Sequence, residues 1–219
     1  MINDLPVGEP VEGPPARPLE AGRLPTRVGG RPPRHSPDVH ARRLQAVHAE
    51  GSELFANVAA KLYSATHGDS LREQVWTYLP YGPFESAAVF EAWLAERAPS
   101  TDPIFHVVFD AAIPIGLVAF MAIRPEGRVV ELGHIWFVPG AQAQGLAGVV
   151  CGWMLAEAFA KGYRRVEWKC DALNARSRRA ALALGFSEEG VFRQHFVVKG
   201  RNRDTAWFSM LDGEWAERD

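Results

Sequence analysis

The spacing of apolar residues changes from a helical to a strand period near the middle of the chain. Before that point, apolar positions recur three and four residues apart, which is typical of amphipathic helices. Ser36 as a cap and Pro37 at the first helical position predict a helix start. The apolar residues that follow predict one or two helices through Tyr63, separated at Gly51.

A further helix is predicted after a loop rich in aromatic residues. Pro83 marks its start, because proline is favoured in the first helical turn, and Arg97 its approximate end. Its apolar residues repeat at helical spacing and predict one buried face. That face consists of Phe84, Ala88, Phe90, Trp93 and Leu94.

From residue 104 the pattern is that of β-strands. Strands are predicted at Ile104 to Phe109, Ile113 to Ile123 and Val129 to Val138. Short turns at 110–112 and 124–128 separate them. Successive strands with short connections pair in antiparallel fashion, so an antiparallel meander is expected.

An apolar helix and a half-polar strand follow the meander. The helix carries apolar residues at i, i+3, i+4, i+7 and i+8, namely Leu146, Val149, Val150, Trp153 and Met154. The strand from Arg164 to Cys170 alternates between apolar and charged residues. Strands joined through a helix run parallel in a right-handed crossover, so residues 129–170 predict one parallel pair in the sheet.

Another helix and a hairpin complete the pattern. Asn174 is a candidate cap for a helix that ends at Leu184. Strands at Val191 to Val198 and Asp204 to Leu211 are then joined by a short turn. With a short possible strand at 26–28, the predicted order is β, α, α, β, β, β, α, β, α, β, β.

A turn of mostly small residues joins the third meander strand to the apolar helix. It consists of Gln142, Ala143, Gln144, Gly145, Leu146, Ala147 and Gly148. Small side chains leave the first amides of the helix accessible, and these donors at the positive end of the helix dipole suit a phosphate or pyrophosphate. The alternative is a glycine- and alanine-rich turn that only lets the helix pack closely on the sheet.

Several motifs in order resemble one family. The Gln-x-x-Gly-x-Ala turn resembles the acyl-CoA pyrophosphate loop of the GCN5-related N-acetyltransferases. Later motifs resemble the branch that contains the ribosomal-protein alanine and serine N-acetyltransferases: Asn174-x-x-Ser177, Gly185-Phe186 with Glu189-Gly190, and Asp204. The resemblance covers about residues 23–213. It implies an α/β (α+β) fold with a mixed, mostly antiparallel sheet, splayed between its fourth and fifth strands and flanked by helices.

The resemblance also implies the residues that hold acetyl-CoA or another acyl-CoA. Beside the turn, these are the strand end at Trp136, Phe137 and Val138, together with Asn174 and Ser177. The charges of Arg176, Arg178 and above all Arg179 suit the phosphates of the same molecule. By the same resemblance, Ser177 donates a proton to the leaving thiolate. The alternatives are a plain helix cap for Asn174, an exposed helix serine and a solvated arginine. Ala147 stands where glycine is more usual.

An amine nucleophile needs a group that takes its proton. The candidates are Glu131, His134, Asp171 and His195, with Glu131 preferred over His134 and Asp171 third. Regular alternation places Glu131 and His134 on opposite strand faces, so only one is expected to face the acceptor. The glutamate used as base in the resembling branch has no counterpart near His195.

The aromatic loop before Pro83 supplies a candidate substrate wall. Trp76, Tyr78 and Tyr81 lie among prolines and glycines, and would line an acceptor pocket. The alternative is a loop that packs over the core.

Composition excludes some classes of function. The chain has 219 residues and a formal net charge of -2, which provides no bulk attraction to nucleic acid or membrane. Its two cysteines form no disulfide framework, its histidines and cysteines show no zinc spacing, and its start lacks the features of a signal peptide, so a cytoplasmic protein without a metal is expected. Residues 1–22 are predicted as a flexible arm, 23–213 as the domain and 214–219 as a tail.

The sequence predicts an acyl-CoA-dependent N-acyltransferase, most simply one that transfers acetyl to a primary amine by direct attack. A protein N-terminus, an amino acid and a small amine all stay open as acceptors. A non-catalytic acyl-CoA-binding module is the alternative. The final hairpin could pair with a second copy, so a homodimer is a further hypothesis.

Overall fold

The computed structural model describes residues 38–142 and 145–217. The predicted arm, the possible strand at 26–28, the cap at Ser36 and the loop residues Ala143 and Gln144 lie outside this part of the chain. Its strands are β1 (Val39–Arg43), β2 (Ile104–Asp110), β3 (Ile113–Arg124), β4 (Val129–Phe137), β5 (Arg165–Asp171), β6 (Ser187–Val198) and β7 (Arg201–Leu211). Its α-helices are α1 (Leu44–Ala49), α2 (Ser52–Thr66), α3 (Ser70–Glu73), α4 (Ala87–Arg97), α5 (Leu146–Ala160), α6 (Ala175–Ala183) and α7 (Asp212–Ala216).

The described strands form one sheet in the order β1-β2-β3-β4-β5-β7-β6. All neighbours are antiparallel except β4 and β5, which are parallel. The predicted meander, the crossover through α5 and the final hairpin are therefore confirmed. Helices flank this mixed sheet, as the α/β (α+β) prediction required.

Two predicted helix boundaries are wrong. Residues 39–43 form β1 instead of continuing a helix, because Val39 and Ala41 are buried in alternation and the segment pairs with β2. Helix α4 begins at Ala87 instead of Pro83, since the Ser86 side chain accepts a hydrogen bond from Val89 N and caps the helix there. Ala88, predicted on the buried face, is exposed.

Each face of the sheet carries its own core. Helices α5 and α6 cover one face, where Val150 and Met154 pack near Val166 and Phe208. Helices α1, α2 and α4 cover the other face through buried residues such as Phe55, Leu62, Phe90 and Leu94. The apolar stripes predicted from the sequence thus bury against opposite sides of one sheet.

The sheet opens between β4 and β5. The two strands pair from Val129 with Arg165 to Leu132 with Trp168, and the pairing then stops. A bulge in β4 lies where pairing with β3 shifts, and His134 there has a positive φ of 51°. Because a bulge bends and twists its strand, β4 turns away from β5 beyond this point. This opening is the splay predicted between the fourth and fifth strands.

The described end of the chain is helical. In α7, Trp215 stacks on Phe159 of α5 at 5.5 Å between ring centroids. Residues 214–217 of the predicted tail are therefore attached to the domain. Among the described residues, no helix combines the length and the apolar character needed to cross a membrane.

Candidate active site

The turn between β4 and α5 leaves the start of α5 open. Gly145 stands at the N-cap with φ 77°, a conformation that glycine adopts at little cost, and no described side chain caps the helix. A Cβ built on Gly145 or Gly148 meets no atom within 4 Å. The first amides of this long helix can therefore be approached by an anionic group, as predicted from the small residues.

Gln142 joins this turn to the neighbouring elements. Its Nε2 donates to the carbonyl oxygen of Phe137 at 2.9 Å, and its Oε1 accepts from Arg176 Nη1 at 3.2 Å. Arg176 is thus the α6 arginine that contacts the turn. Arg179, the arginine predicted to bind the cofactor, is exposed, and Arg178 pairs with Glu188 at 3.0 Å.

The end of β4 presents backbone to the opening and side chains to the two cores. Phe137 is buried on the α5 side, whereas Trp136 is buried on the opposite side and lies 5.1 Å from Trp76 between ring centroids. Val138 N donates to Ile115 O at 2.8 Å, which ties this segment to β3. Trp136 can therefore take part in the opening through its backbone, while its indole belongs to the core.

Helix α6 begins on the other side of the opening. Asn174 caps it, since its Oδ1 accepts from Ser177 N at 3.1 Å. The hydroxyl of Ser177 accepts from Trp168 Nε1 at 2.9 Å, so its own hydrogen is left to donate elsewhere. Asp171 holds the loop before the helix, because its Oδ1 accepts from Leu173 N at 2.8 Å.

Glu131 and His134 lie on the same sheet face, contrary to the prediction of opposite faces. The bulge at His134 inserts one residue into the alternation, so Ile135 and Phe137 lie on the α5 side with Leu132. His134 contacts Phe105 on the other side, at 4.9 Å between ring centroids. Glu131 faces that side as well.

Glu131 belongs to a buried network of charges. Its carboxylate lies 2.9 Å from Lys169 Nζ, which also lies 3.2 Å from Glu167. Burial raises the pKa of Glu131, although the hydrogen bond and charge of Lys169 and the charge of Arg203 oppose the rise. Burial also acts to raise the pKa of Glu167, but Lys169, Arg165 and Arg124 outweigh it and lower that pKa. Glu131 is therefore the carboxylate whose proton affinity is enhanced.

His134 is held in an aromatic setting. Its Nδ1 lies 3.1 Å from the Tyr81 hydroxyl, and the rings stack with centroids 5.5 Å apart. Burial, with a smaller effect from the charge of Arg97, lowers the pKa of His134 to about 4. Burial raises the pKa of Tyr81. Both side chains are therefore neutral near pH 7, and they lie together next to the opening.

The aromatic loop crosses from one half of the sheet to the other. Tyr78 donates its hydroxyl hydrogen to Leu173 O at 3.2 Å, before α6. Lys199, in the β6–β7 turn, donates to Trp76 O at 2.6 Å. Trp76 itself is completely buried and its Nε1 donates to Thr66 O, so it supports the pocket wall from inside the core and cannot line a pocket directly.

Lys169 and Trp207 were not predicted as site residues. The Lys169 ammonium lies 3.9 Å from the centroid of the Trp207 ring, in addition to its contacts with the two carboxylates. The alternation of β5 marked Lys169 as a residue on the polar face. The register of β5 with β7, which pairs Lys169 with Trp207, is decided by the fold. His195, one of the candidate bases, lies on the hairpin beside Trp207, at 6.1 Å between ring centroids.

No metal centre is evident in the part of the chain that the structure describes, since no three histidine, cysteine, aspartate or glutamate side chains group there with suitable geometry. Both cysteines, Cys151 and Cys170, are free and buried.

Comparisons with known proteins agree with this architecture. Residues 56–187 match the family model described as the acetyltransferase (GNAT) domain. A solved GCN5-related N-acetyltransferase from Brucella melitensis is 35% identical, with a TM-score of 0.78 over 93% of this chain and 85% of that one. A solved GNAT-family protein from Chromobacterium violaceum ATCC 12472 is 33% identical, with a TM-score of 0.79 over 97% and 98% of the two chains.

A curated relative matches over a shorter stretch. The Bacillus subtilis (strain 168) protein named "Putative ribosomal N-acetyltransferase YdaF" is 26% identical over 110 residues, which are 50% of this chain and 59% of that protein. The family match covers more than half of the chain, and the two solved relatives cover nearly all of it. The chain therefore belongs to the GNAT acetyltransferase family.

Proposed function

We propose that the protein is an acyl-CoA-dependent N-acyltransferase that transfers acetyl from acetyl-CoA to a primary amine. One observation carries this proposal. The start of α5, which no described side chain caps, lies on one face of the sheet beside the opening between β4 and β5. The Glu131–Lys169 pair lies on the other face of the sheet, beside the same opening. An anionic co-substrate and an amine can therefore meet there from two sides.

The residues around the turn fit the co-substrate. The backbone amides at the start of α5 and Arg176 suit the phosphates, because they offer donors and positive charge without a blocking side chain at Gly145 or Gly148. The unpaired edge of β4 beyond Leu132 suits the amide-containing arm, much as a sheet edge accepts an added strand. Acetyl-CoA supplies an activated thioester. The chain's own residues bind it and orient the amine.

Glu131 is proposed to take the proton from the incoming ammonium, directly or through water. Burial raises the pKa of Glu131, which makes its carboxylate more basic than an exposed one. Lys169 opposes part of this rise and keeps the carboxylate in its ionised form, which can accept a proton. His134 is a weaker base since its pKa is about 4, and we assign it and Tyr81 to positioning the amine. Asp171 is already engaged by Leu173 N.

Ser177 is proposed to donate a hydrogen bond to the leaving thiolate. Trp168 Nε1 donates to its oxygen, which fixes the hydroxyl at the start of α6, so that its hydrogen can point to the Cys170 sulfur or, in the complex, to the leaving thiolate. Neither Cys151 nor Cys170 is placed to form an acyl-enzyme, because both thiols are buried and their pKa values are raised by burial. Direct attack of the amine is therefore the proposed route.

Thiol release from acetyl-CoA, measured with a panel of amines and N-terminal peptides, tests the activity. Amine-dependent release that Glu131→Gln abolishes, with CoA affinity unchanged, is the expected result. CoA binding without release for every amine would favour the alternative of a non-catalytic acyl-CoA-binding module. Because the Bacillus subtilis relative carries the name "Putative ribosomal N-acetyltransferase YdaF", the panel includes N-terminal peptides of ribosomal proteins.

Two further proposals concern the protein as a whole. A homodimer could form along β6, an edge strand of twelve residues on which Val191, Phe192, Phe196 and Val197 are exposed. Size-exclusion chromatography with light scattering measures the oligomeric state, and Val197→Glu should shift a dimer to the monomer. The buried free thiols are compatible with a reducing cytoplasm, which localisation of a tagged chain would test.

A further inference from the structure

Buried polar atoms without partners are concentrated on the β6–β7 hairpin. Eight such side-chain atoms occur among the described residues, and four of them lie here: His195 Nδ1, Arg203 Nε, Thr205 Oγ1 and Trp207 Nε1. Folded proteins pair nearly all buried polar groups with protein, water or ligand, so a local concentration requires an explanation. A bound molecule that supplies the missing partners is one such explanation.

These atoms belong to the sheet face that carries the proposed amine site. Along β7, Ala206, Phe208 and Met210 are buried on the α5 side, so the odd-numbered residues 203, 205 and 207 lie on the opposite face. The Trp207 ring contacts the Lys169 ammonium, which in turn contacts Glu131. Only one lysine head group therefore separates the proposed base from the unpaired indole.

The chemistry of the unpaired atoms defines what they can bind. The Nε–H of Arg203 and the indole N–H of Trp207 are donors only. Thr205 and His195 can donate or accept, depending on rotamer or tautomer. A molecule that satisfies this set must present oxygen acceptors, and the guanidinium of Arg203 favours oxygens that carry negative charge or a strong dipole.

Aromatic rings flank the same donors. Phe192 lies 4.7 Å and His195 6.1 Å from Trp207 between ring centroids. The Arg203 guanidinium carbon lies 5.8 Å from the centroid of the Phe196 ring. The Lys199 bond to the Trp76 carbonyl joins the tip of this hairpin to the aromatic loop. The donors are thus presented between flat apolar surfaces, which suits a small planar group such as an amide or carboxylate.

We propose that Arg203 and Trp207 select acceptors in which the amine is followed by a carbonyl or carboxylate, that is, an α-amino acid or the first residue of a peptide. This inference rests on the proposed N-acyltransferase function and deepens it. The donor pair binds the oxygen of the acceptor, which places the adjacent amine next to the Lys169–Glu131 pair. An amine without such an oxygen leaves the donors unpaired in the complex, and buried unpaired donors are unfavourable.

A matched series of amines tests the selection. Each set contains an amine, the corresponding amino acid amide, the free amino acid and a short peptide, all with the same side chain. We expect kcat/KM for at least one carbonyl-containing member to exceed that of the plain amine by 10-fold or more. Equal kcat/KM across each set would overturn the inference while leaving N-acyltransferase activity in place. A preference for the amide would identify a neutral carbonyl as the recognised group. A preference for the free amino acid would identify a carboxylate, and a preference for the peptide would identify a chain terminus.

Two variants assign the selection to these residues. Trp207→Phe keeps the ring over Lys169 and removes the N–H, and Arg203→Gln removes the charge. Each should raise KM for the preferred acceptor about 10-fold more than KM for the plain amine, whereas any change in kcat that comes through Glu131 should be the same for both substrates. Trp215→Phe, on α7, is the matched control and should change neither. An equal rise in KM for both substrates, or no rise in either, contradicts the assignment.

The inference can also fail separately from the activity. If no amine is acylated although CoA binds, calorimetric titration with a tripeptide, and with the plain amine that carries the same side chain as its first residue, replaces the kinetics. Tighter binding of the tripeptide that Trp207→Phe removes supports the donor site. No saturable difference between the two overturns it. Thermal unfolding of both variants confirms that they fold.

Discussion

The imidazole Nδ1 of His134 lies 3.1 Å from the hydroxyl of Tyr81, and this contact exists because His134 occupies a bulge in β4 with φ 51°. The bulge turns His134 toward the face that also carries Glu131. It also marks the place beyond which β4 leaves β5. One local irregularity therefore creates the opening and brings two candidate proton acceptors to the same side of the sheet.

Closing the space before α5 should weaken co-substrate binding without loss of stability. Gly148→Glu adds a side chain where a Cβ meets no atom within 4 Å, so the fold has room for it, but its bulk and charge oppose a phosphate. We expect the Kd for CoA to rise at least 10-fold, as measured by calorimetry, with no fall in Tm.

Gly152→Glu, one turn further along α5, is the matched control, since a Cβ there also meets no atom within 4 Å. It should leave the Kd within about twofold. Equal weakening by both variants would indicate that phosphate binding is not localised at the helix start.

The pH dependence of kcat/KM should report the ionisation of Glu131. A base must be deprotonated to act, and burial raises the pKa of Glu131, so activity is lost as pH falls through that raised pKa. Lys169→Met removes the cation that favours the carboxylate form, so the pKa rises further and the acidic limb moves to higher pH. Steady-state rates from about pH 5 to about pH 9 measure the shift.

Lys161→Met serves as control, because Lys161 lies at the end of α5, in a different part of the molecule, 3.9 Å from Glu157. Its profile should match that of the unmodified protein. An acidic limb that stays in place in Lys169→Met, or that survives in Glu131→Gln, would assign the base to another group.

Ser177→Ala should slow the chemical step and leave co-substrate affinity unchanged. Without the hydroxyl, the leaving thiolate lacks its proposed donor, and we expect kcat to fall about 100-fold. The substitution also removes the acceptor for Trp168 Nε1, which should lower the free energy of unfolding by about 1 kcal/mol. Stopped-flow thiol release and chemical denaturation measure the two effects.

Ser64→Ala, in α2, provides the comparison, since its hydroxyl bonds only a carbonyl of its own helix in the described contacts. It should leave kcat as it is. A kcat for Ser177→Ala within twofold of the unmodified value would restrict Ser177 to a structural role.

Stability should fall on acidification because His106, His134 and His67 have pKa values lowered by burial and are therefore held in the neutral form. Burial lowers the pKa of His106 and of His134 from 6.5 to about 4. Between pH 6.5 and about pH 4 the unfolded chain binds protons at these histidines that the folded chain does not bind. Their contribution to the free energy of unfolding is therefore complete above pH 6.5 and is lost as the pH falls toward 4. His106 and His134 each contribute on the order of 3 kcal/mol over the whole window.

Measuring Tm from about pH 7 to about pH 4.5 tests this. His106→Gln should flatten the dependence, whereas the same change at the exposed His48 should not. An unchanged slope in His106→Gln would show that other groups dominate the acid response.

Local sequence patterns predicted most of the secondary-structure elements. The apolar runs of β2 to β4, the alternation in β5, the helical period in α5 and the cap at Asn174 depend on neighbours along the chain, so they were predicted with nearly correct boundaries. The parallel pair β4–β5 followed as well, because a helix between two strands of one sheet imposes a right-handed crossover. The open turn before α5 was recognisable from its small residues alone.

Other features depended on contacts between distant residues. The strand at 39–43 exists because β2 offers an edge to pair with, which no local pattern indicates. The bulge at His134 broke the regular alternation and reversed the predicted placement of Glu131 and His134. Trp76 was predicted at the pocket surface, yet its neighbours bury it completely.

By itself, the sequence determined the order of the elements from β2 to β7 and the open start of α5, since hydrophobic pattern, capping residues and small side chains act over a few neighbouring positions. The tertiary structure alone decided which charges meet. Lys169 lies between Glu131, Glu167 and Trp207 because three strands far apart in the chain align there. The unpaired donors of Arg203 and Trp207 likewise became visible only once the surrounding side chains were in place, since hydrogen-bond satisfaction is a property of the packed molecule.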